Sequence, residues 1–286
     1  MTYDDFSTLR VHQADGVAWV TLDHAPVNVL GAALGGDLKR FAETVATDET
    51  VRVIVLQSAN EDYFVAHADM EWMLDGTTLM ALADEDGDAR LNPLQQLNER
   101  FRALPQITIA KLRGRLRAGG AELAMAADMR FAAAGRTWLA QPETRMGIFP
   151  GGGGTQYLNR LVGRPRALEI VLGAELFPAE LAERYGWVNR TLADDELDAF
   201  VDALARRIAA LPAGVAAAAV QALDAAEASG AVPHLHEEAQ AHVRVYPSPE
   251  HVVERIRTAL QAGAQTPAGE HDLEGLLDAV PYSTTA

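Results

Sequence analysis

Apolar and polar residues alternate near the start of the chain in a pattern that predicts strands. Residues 8–12 and Val17–Leu22 both alternate, and the Asp15-Gly16 pair between them is a turn sequence, so a β-hairpin is predicted. Apolar residues over 34–45 then recur at helical spacing, and the continuous apolar run 53–56 is typical of a strand buried on both faces. Strand, helix and strand in this order favour crossover connections and an α/β fold.

The later parts of the chain complete the predicted organisation. Further strands are expected near residues 107–112 and 129–133, within a core domain that spans residues 1–193. Residues 194–263 are Ala-rich and helical in pattern, and they predict a helical C-terminal region. Residues 264–286 mix Pro, Gly, Ser, Thr and acidic residues, which predicts a flexible tail or an arm that lies on a neighbouring subunit.

An acidic, glycine-containing stretch interrupts the core domain between residues 75 and 92. No apolar period is sustained there, so the sequence predicts a mobile surface loop. Two interpretations of this loop stay open. It is either a lid over a functional site or a solvated connector without a function of its own.

Composition and charge exclude several classes of function. The 286 residues contain no cysteine, so disulfide scaffolds, thiolate metal sites and cysteine nucleophiles are excluded. Asp and Glu number 40 against 24 Lys and Arg, a net charge of -16 that disfavours nucleic acid and anionic membranes as partners. No apolar run approaches the ~20 residues of a membrane span, and residues 1–10 lack the pattern of a secretory signal. We therefore expect a cytoplasmic protein.

Residues 63–70 form the first stretch with the character of a binding site. Aromatic residues lead into small ones there, and Asp69 is placed to cap the helix whose apolar residues follow. The small residues Ala66 and Ala68 would let a ligand approach backbone N–H groups closely. This stretch is thus a candidate for binding through the main chain.

The second candidate stretch runs from residue 114 to residue 154. Gly119 and Gly120 stand at a predicted helix start, where outward-facing backbone donors could stabilise an oxyanion. Glu122 follows one turn into that helix, and Glu143 comes after the next predicted strand and turn. The glycine run 151–154 opens another predicted helix but lacks the Lys-Ser/Thr of a phosphate-binding P-loop, so a nucleoside triphosphatase is disfavoured.

Taken in this order, the motifs resemble those of the crotonase superfamily, the enoyl-CoA hydratase/isomerase enzymes. The matching stretches are residues 25–28, 64–70, 114–128, 141–147, 150–163 and 182–188. The resemblance covers roughly residues 6–260 and implies a crotonase-like spiral of ββα units with a helical C-terminal region. It also implies that this region, residues 194–263, covers the active site and builds a homotrimer or a dimer of trimers.

The resemblance further implies a chemistry for individual residues. The backbone N–H groups of Ala68 and Gly119 match the two donors that hold the thioester oxygen of an acyl-CoA. Glu122 and Glu143 match two glutamates that flank a water in hydratases, one activating the water and the other supplying the α-proton. The substrate-binding residues expected around them are Ala66, His67, Asp69, Trp138 and Leu139.

The activity that follows from the resemblance is syn addition of water to an α,β-unsaturated acyl-CoA thioester, or the reverse dehydration. Coenzyme A belongs to the substrate, and neither a metal nor a redox cofactor is expected. Two alternatives stay open: a double-bond isomerase in which one glutamate shuttles the proton, and a non-catalytic acyl-CoA-binding or assembly subunit. His234, His236 and His242 fit a polar helix start better than a metal site.

Three features depart from the family pattern. His67 stands where a glycine is usual and narrows the pantetheine channel, contacts the ligand or fills space, and Ala118 replaces a common glycine. Alternation along an extended segment places four cations on one face, and this basic stripe comprises Lys111, Arg113, Arg115 and Arg117. The stripe is either an anion site for CoA phosphates or an acidic acyl group, or it pairs with neighbouring acids in the trimer core or at a subunit contact.

Overall fold

An eight-stranded sheet forms the centre of the protein in a computed structural model that describes residues 3–84, 87–212, 214–227 and 250–280. Its strands are β1 (Leu9–Ala14), β2 (Val17–Leu22), β3 (Val53–Ser58), β4 (Tyr63–Val65), β5 (Ile107–Arg117), β6 (Met129–Ala140), β7 (Phe177–Pro178) and β8 (Arg190–Leu192). Neighbours follow the order β1-β2-β3-β5-β6-β7, while β4 pairs with β5 and β8 with β6. The predicted β1–β2 hairpin is confirmed, and β2, β3, β5 and β6 run parallel.

Helices cover both faces of this sheet. They are α1 (Ala32–Val45), α2 (Thr77–Met80), α3 (Pro93–Arg102), α4 (Gly119–Ala126), α5 (Gly154–Val162), α6 (Arg164–Gly173), α7 (Ala179–Tyr185), α8 (Asp194–Ala209), α9 (Val215–Glu227), α10 (Glu250–Gln261), α11 (Pro267–His271) and α12 (Leu273–Ala279). The main core packs one face against α1 and α3 to α7, around Phe41 and Trp187. On the other face, Val55 and Ile109 pack against Val201 of α8. The mixed α/β class is thereby confirmed.

Strand β5 is longer than its apolar run predicts. It continues through the basic stripe because those cations find acidic or aromatic partners. At Gly114 the backbone adopts φ 72°, and the pairing of β5 with β6 shifts register between Leu112 and Gly114. A Cβ on Gly114 would lie 2.2 Å from the carbonyl carbon of Asp62, so only glycine fits at this bend.

The stretch 75–92 holds more structure than a loop. It contains α2 and the buried Leu82, and it ends at Asn92, which begins α3 with a capping box shared with Gln95. The apolar period does not predict α3, because polar residues occupy buried positions of that helix, including Gln95 and Asn98.

Residues 264–280 pack on the body of the protein, which differs from the predicted tail. Helices α11 and α12 begin at side chains that accept backbone N–H bonds, Thr266 and Asp272. Leu273 and Leu277 are fully buried in a cluster with two 3-10 helices, Met70–Met73 and Pro142–Met146. The polar composition of the segment obscured these two leucines, which stand at helical i and i+4 spacing.

The described part of residues 194–263 is helical, as predicted, and comprises α8, α9 and α10. Residues 228–249 lie outside the described residues, and His234, His236 and His242 lie there with them. Within the described ranges, no helix combines the length and the apolar character needed to cross a bilayer.

Candidate active site

A cavity of about 160 Å³ lies where the two 3-10 helices, the start of α4 and the loop before α5 meet. Glu122 and Glu143 both line it, and so do Ala68 and Gly119. The other walls are mostly apolar and include Met70, Trp72, Met73, Leu79, Leu94, Met146, Ile148 and Phe149. The structure therefore brings together the four residues to which the sequence assigned chemistry.

The main chains at Ala68 and Gly119 approach each other closely beside this cavity. A Cβ on Gly119 would lie 2.7 Å from the Ala68 Cβ, so glycine is required at that position. Gly119 is the first residue of α4, and the first N–H groups of a helix have no acceptor within it. In the described part of the chain, neither the Ala68 N–H nor the Gly119 N–H donates to a protein acceptor. Two backbone donors are thus available side by side.

The carbonyls that share a peptide bond with these two amides are both anchored. The His67 carbonyl accepts the Leu30 N–H at 2.9 Å, and the Ala118 carbonyl accepts the Glu122 N–H at 2.9 Å. Because the C=O and N–H of a trans peptide point in opposite directions, each anchored carbonyl fixes the direction of the amide on its other side. The two donors therefore have set directions before any ligand binds.

Ala118 adopts a conformation that suits glycine better than alanine. Its φ is 47° and its ψ is -127°, while its N–H donates to the Ala140 carbonyl at 3.1 Å. A non-glycine residue in such a region costs about 1–3 kcal/mol and persists only where the surroundings impose it. Backbone strain is therefore stored directly before Gly119.

Glu122 lies in the first turn of α4 and is buried. Its Oε1 accepts the backbone N–H groups of Gly152 and Gly154, both at 2.8 Å. A Cβ on Gly152 would lie 2.4 Å from Glu122 Oε2, so the main chain can come this close only because the residue is glycine. The glycine run before α5 thus orients the Glu122 carboxylate.

Glu143 lies in the second 3-10 helix and is also buried. With its NH₂ group facing the carboxylate, the Gln141 side chain donates to Glu143 Oε1 at 2.8 Å and to Oε2 at 3.0 Å. Both cavity carboxylates are therefore held by donors of the protein, Glu122 by the main chain and Glu143 by a neighbouring amide.

Of the five residues assigned to substrate binding, Asp69 alone lines the cavity. Ala66 and Leu139 are fully buried in hydrophobic clusters of the protein interior. His67 and Trp138 each contact a charged side chain of the protein instead. The assignment of these four residues to substrate binding therefore stays a prediction.

The apolar wall was not assigned from sequence. Met70 and Met73 follow Asp69 at helical spacing, a signal that predicted a helix but not its exposure to a cavity. Met146 ends the second 3-10 helix, and Ile148 and Phe149 follow it in the loop before α5. Among the residues that the structure describes, no group of three or more His, Asp or Glu side chains is arranged to hold a metal ion.

The basic stripe divides at Gly114 between two sets of partners. Lys111 and Arg113 form ion pairs with α8, through Asp198 for the first and through Asp194 and Asp198 for the second. Beyond Gly114, the guanidinium of Arg115 stacks on the Trp138 ring, 5.0 Å from its centroid, and Arg117 pairs with Glu270 and Glu274. Lys111, Arg113 and Arg117 thus pair with acids of the same chain, whereas acids in the trimer core or at a subunit contact were expected.

Comparison with known proteins places this architecture in a family. The sequence profile of the enoyl-CoA hydratase/isomerase family matches residues 12–260. A crystal structure from Streptomyces avermitilis, of a protein provisionally named an enoyl-CoA hydratase, superposes with a TM-score of 0.91 at 49% identity, covering 96% of this chain and 98% of that one. An enoyl-CoA hydratase from Mycobacterium avium subsp. paratuberculosis K-10 superposes with a TM-score of 0.75 at 25% identity, covering 88% of this chain and 98% of that one.

A longer relative matches part of the chain. The fatty acid oxidation complex subunit alpha of Shewanella oneidensis is 35% identical over 181 residues, which cover 61% of this chain and 24% of that protein. The match thus spans about a quarter of the length of such relatives. Because the family profile covers most of the chain, the protein belongs to the enoyl-CoA hydratase/isomerase family of the crotonase superfamily. The predicted crotonase-like fold is confirmed with it.

Proposed function

We propose that this protein is an enoyl-CoA hydratase, which adds water syn across the double bond of an α,β-unsaturated acyl-CoA thioester. The observation that carries the proposal is one shared cavity, which is lined by the carboxylates of Glu122 and Glu143 and by Ala68 and Gly119. Hydration uses both kinds of group. Carboxyl groups transfer the protons, and backbone donors stabilise the charge that develops on the thioester oxygen.

In the proposed reaction, the thioester oxygen accepts the N–H groups of Ala68 and Gly119. Drawing electron density onto that oxygen makes the β-carbon electrophilic and stabilises the enolate formed when water attacks it. Since anchored carbonyls hold both amides in place, they need little reorganisation as the charge develops. Loss of one such donor typically costs ~10²–10³ in rate.

The two glutamates divide the proton transfers. One takes a proton from water as the water oxygen bonds to the β-carbon, and the other gives a proton to the α-carbon, so that the net addition is one water molecule. After each turnover the two carboxyl groups have exchanged protonation states, and solvent protons restore them.

The apolar wall supports an acyl chain as the ligand. Met70, Met73, Leu79, Ile148 and Phe149 surround the carboxylates with hydrocarbon and aromatic surface. Such walls bind an enoyl chain by removing its apolar surface from water, at about 25 cal/mol per Å². They also keep bulk water away, which strengthens the interactions of the buried donors with the thioester.

Turnover of an enoyl-CoA panel, from short to aromatic acyl chains, tests the proposal. Glu143→Gln and Glu122→Gln should each lower hydration by about 10²–10⁴, because each removes a proton-transfer group. Binding of the thioester, measured by calorimetry, should persist in both variants. Glu175→Gln, at a glutamate with 73% of its side chain exposed, serves as the matched control and should keep full turnover.

The same assay distinguishes the hydratase from the two alternatives. If the wild-type protein hydrates none of the enoyl-CoA thioesters, the hydratase proposal is contradicted. Movement of the double bond, with solvent deuterium retained at the α-carbon and no hydroxyacyl product, would identify an isomerase. Thioester binding without either reaction would identify a non-catalytic acyl-CoA-binding subunit.

We also propose that the protein is a cytoplasmic homotrimer or dimer of trimers that acts without a metal or redox cofactor. Light scattering of the purified protein should give a mass of three or six chains. Dialysis against a chelator should leave the hydration rate unchanged. A monomer in the first measurement, or loss of activity in the second, would contradict the corresponding part of this proposal.

A further inference from the structure

Charged side chains form a buried network next to the two amide donors. His67 Nε2 lies 2.8 Å from Glu270 Oε1, and Arg117 Nη1 lies 3.4 Å from Glu270 Oε2. Arg117 also donates through Nη2 to the Glu270 carbonyl at 2.9 Å, and through Nε to Glu274 at 2.8 Å. The exposed fraction is 2% for the His67 side chain and 0% for those of Glu270 and Arg117. These four residues are the Glu270 network.

Hydrogen-bond geometry indicates the protonation of this network. His67 Nδ1 lies 2.8 Å from the Ala68 carbonyl oxygen, which can only accept, so Nδ1 carries a proton. Burial raises the pKa of Glu270, but the charge and hydrogen bond of His67, the Gln265 N–H and the charge of Arg117 outweigh it and hold the pKa below its usual value. The Glu270 carboxylate accepts from the Gln265 N–H and from Arg117, and His67 Nε2 lies within hydrogen-bond distance of it.

The Glu270 network joins both segments that carry the amide donors. His67 directly precedes Ala68, and Arg117 lies two residues before Gly119, while both contact the same carboxylate. Gln265 adds a third link, because its N–H donates to Glu270 Oε1 at 2.7 Å and its side-chain oxygen accepts the Met70 N–H at 2.8 Å. The C-terminal segment is thus hydrogen-bonded to both chain segments that carry the donors, to the one around Ala68 and to the one before Gly119.

We propose that Glu270 is a positioning residue that sets the spacing of the Ala68 and Gly119 N–H donors by holding His67 and Arg117 together. The inference rests on the proposed function, because this spacing matters for an oxygen that accepts both donors. Glu270 does not line the cavity, so its effect on the reaction passes through the main chain. His67 thereby gains a role, which is to connect the first donor segment to α11.

Replacing Glu270 with glutamine keeps the size of the side chain and removes its charge. The amide then places an NH₂ group where His67 and Arg117 had met a carboxylate, and the donor segments lose their common anchor. We expect kcat to fall about 10-fold to 100-fold, somewhat less than the loss of a whole donor. KM should change less than about 3-fold, because the donors act mainly on charge that develops in the transition state.

A chromophoric thioester reports on the donors directly. Para-dimethylaminocinnamoyl-CoA absorbs at longer wavelength when its carbonyl accepts stronger hydrogen bonds, so binding to the wild-type protein should shift its absorption to the red. Glu270→Gln should reduce that shift. Glu254→Gln removes the same charge from α10 at a side chain that is 63% exposed, and it should keep both the shift and kcat.

Amide hydrogen exchange provides a readout that needs no ligand. Peptides covering residues 66–70 and 117–121 should exchange faster in Glu270→Gln than in Glu254→Gln, because the anchor between them is lost. Circular dichroism and thermal unfolding establish that each variant is folded. Should Glu270→Gln fail to fold, His67→Gln breaks the same contact from the other side and is measured in its place.

The results separate this inference from the proposed function. A smaller red shift, a lower kcat and faster exchange in a folded Glu270→Gln variant support it, and an unchanged shift with unchanged exchange overturns it. The wild-type protein could shift the absorption of the probe to the red and yet hydrate no enoyl-CoA. In that case the hydratase proposal fails, and the comparison of Glu270→Gln with Glu254→Gln still decides the inference. If the wild-type protein does not bind the probe, amide exchange alone decides.

Discussion

The two halves of strand β5 carry the same alternation of basic residues in different surroundings. Before Gly114, Lys111 and Arg113 pair with Asp198 and Asp194, whose side chains are 63% and 40% exposed. After Gly114, Arg117 is fully buried and pairs with carboxylates of the C-terminal helices. One sequence pattern therefore produces a partly solvated set of ion pairs in one half and a dry network in the other.

Burial decides what each half contributes. Exposed ion pairs typically contribute ~0–1 kcal/mol, because water and salt screen them and long side chains lose entropy when they pair. In a dry network, the loss of one member leaves the others charged and uncompensated, which costs about 3–5 kcal/mol. The half of β5 that leads into Gly119 is thus the half where substitution has a large effect.

Removal of Arg117 is the change with the largest expected effect. Arg117→Met keeps a long side chain at this position but removes the guanidinium. Glu270 and Glu274 then lack the cation that they share. The free energy of unfolding should fall by about 3–5 kcal/mol, measured by urea denaturation at neutral pH. Lys111→Met on the same strand is the matched control and should cost less than about 1 kcal/mol. Equal losses in the two variants would contradict the comparison.

A change of pH tests the charge of Glu270 in the network. Glu270→Gln should cost less than the loss of Arg117, about 1.5–3 kcal/mol near neutral pH, because Arg117 still pairs with Glu274 and the amide oxygen still accepts hydrogen bonds. Because the pKa of Glu270 is lower in the folded protein than its usual 4.5, its ionised form stabilises the fold. That contribution is complete above pH 4.5 and is lost as the pH falls through the folded-state pKa.

Urea denaturation of the wild-type protein and of Glu270→Gln over a series of pH values measures this loss. The difference in unfolding free energy should shrink as the pH falls below 4.5. A difference that grows in acid would show that Glu270 is protonated in the folded protein, against the charges assigned to the network.

Ala118→Gly tests the backbone strain at the residue that connects β5 to α4. Glycine adopts a φ of 47° more easily than alanine, so relief of strain should stabilise the fold, offset in part by the greater entropy of the unfolded chain. We expect a net gain of about 1 kcal/mol in unfolding free energy. Destabilisation by a similar amount would show that the alanine methyl contributes packing that outweighs the strain.

Local patterns predicted much of this architecture. The hairpin of β1 and β2, helix α1 and the start of α4 follow from alternation, helical spacing and a glycine pair. The two glutamates and the two amide positions were recognised through the motifs of a family, and the structure brings all four to one cavity. Helix α3 was missed because buried polar residues interrupt its apolar period.

Contacts between distant residues account for what the sequence could not predict. His67 meets Glu270 across 203 positions, and Glu270 stands in a segment whose polar composition predicted a tail. No pattern along the chain encodes such a pairing. Trp138 was expected among the substrate-binding residues, but its position on β6 places its ring against Arg115.

The smallest effect is expected at the solvated end of β5. Asp198→Asn removes the carboxylate that Lys111 and Arg113 share, yet Asp194 still pairs with Arg113. The free energy of unfolding should fall by less than about 1 kcal/mol. Since the Debye length shortens to about 3 Å in 1 M salt, the difference between variant and wild type should nearly vanish there. Urea denaturation at low and high salt measures both quantities. A salt-independent loss above about 2 kcal/mol would mean that these pairs behave like the buried network, and that exposure does not distinguish the two halves of the strand.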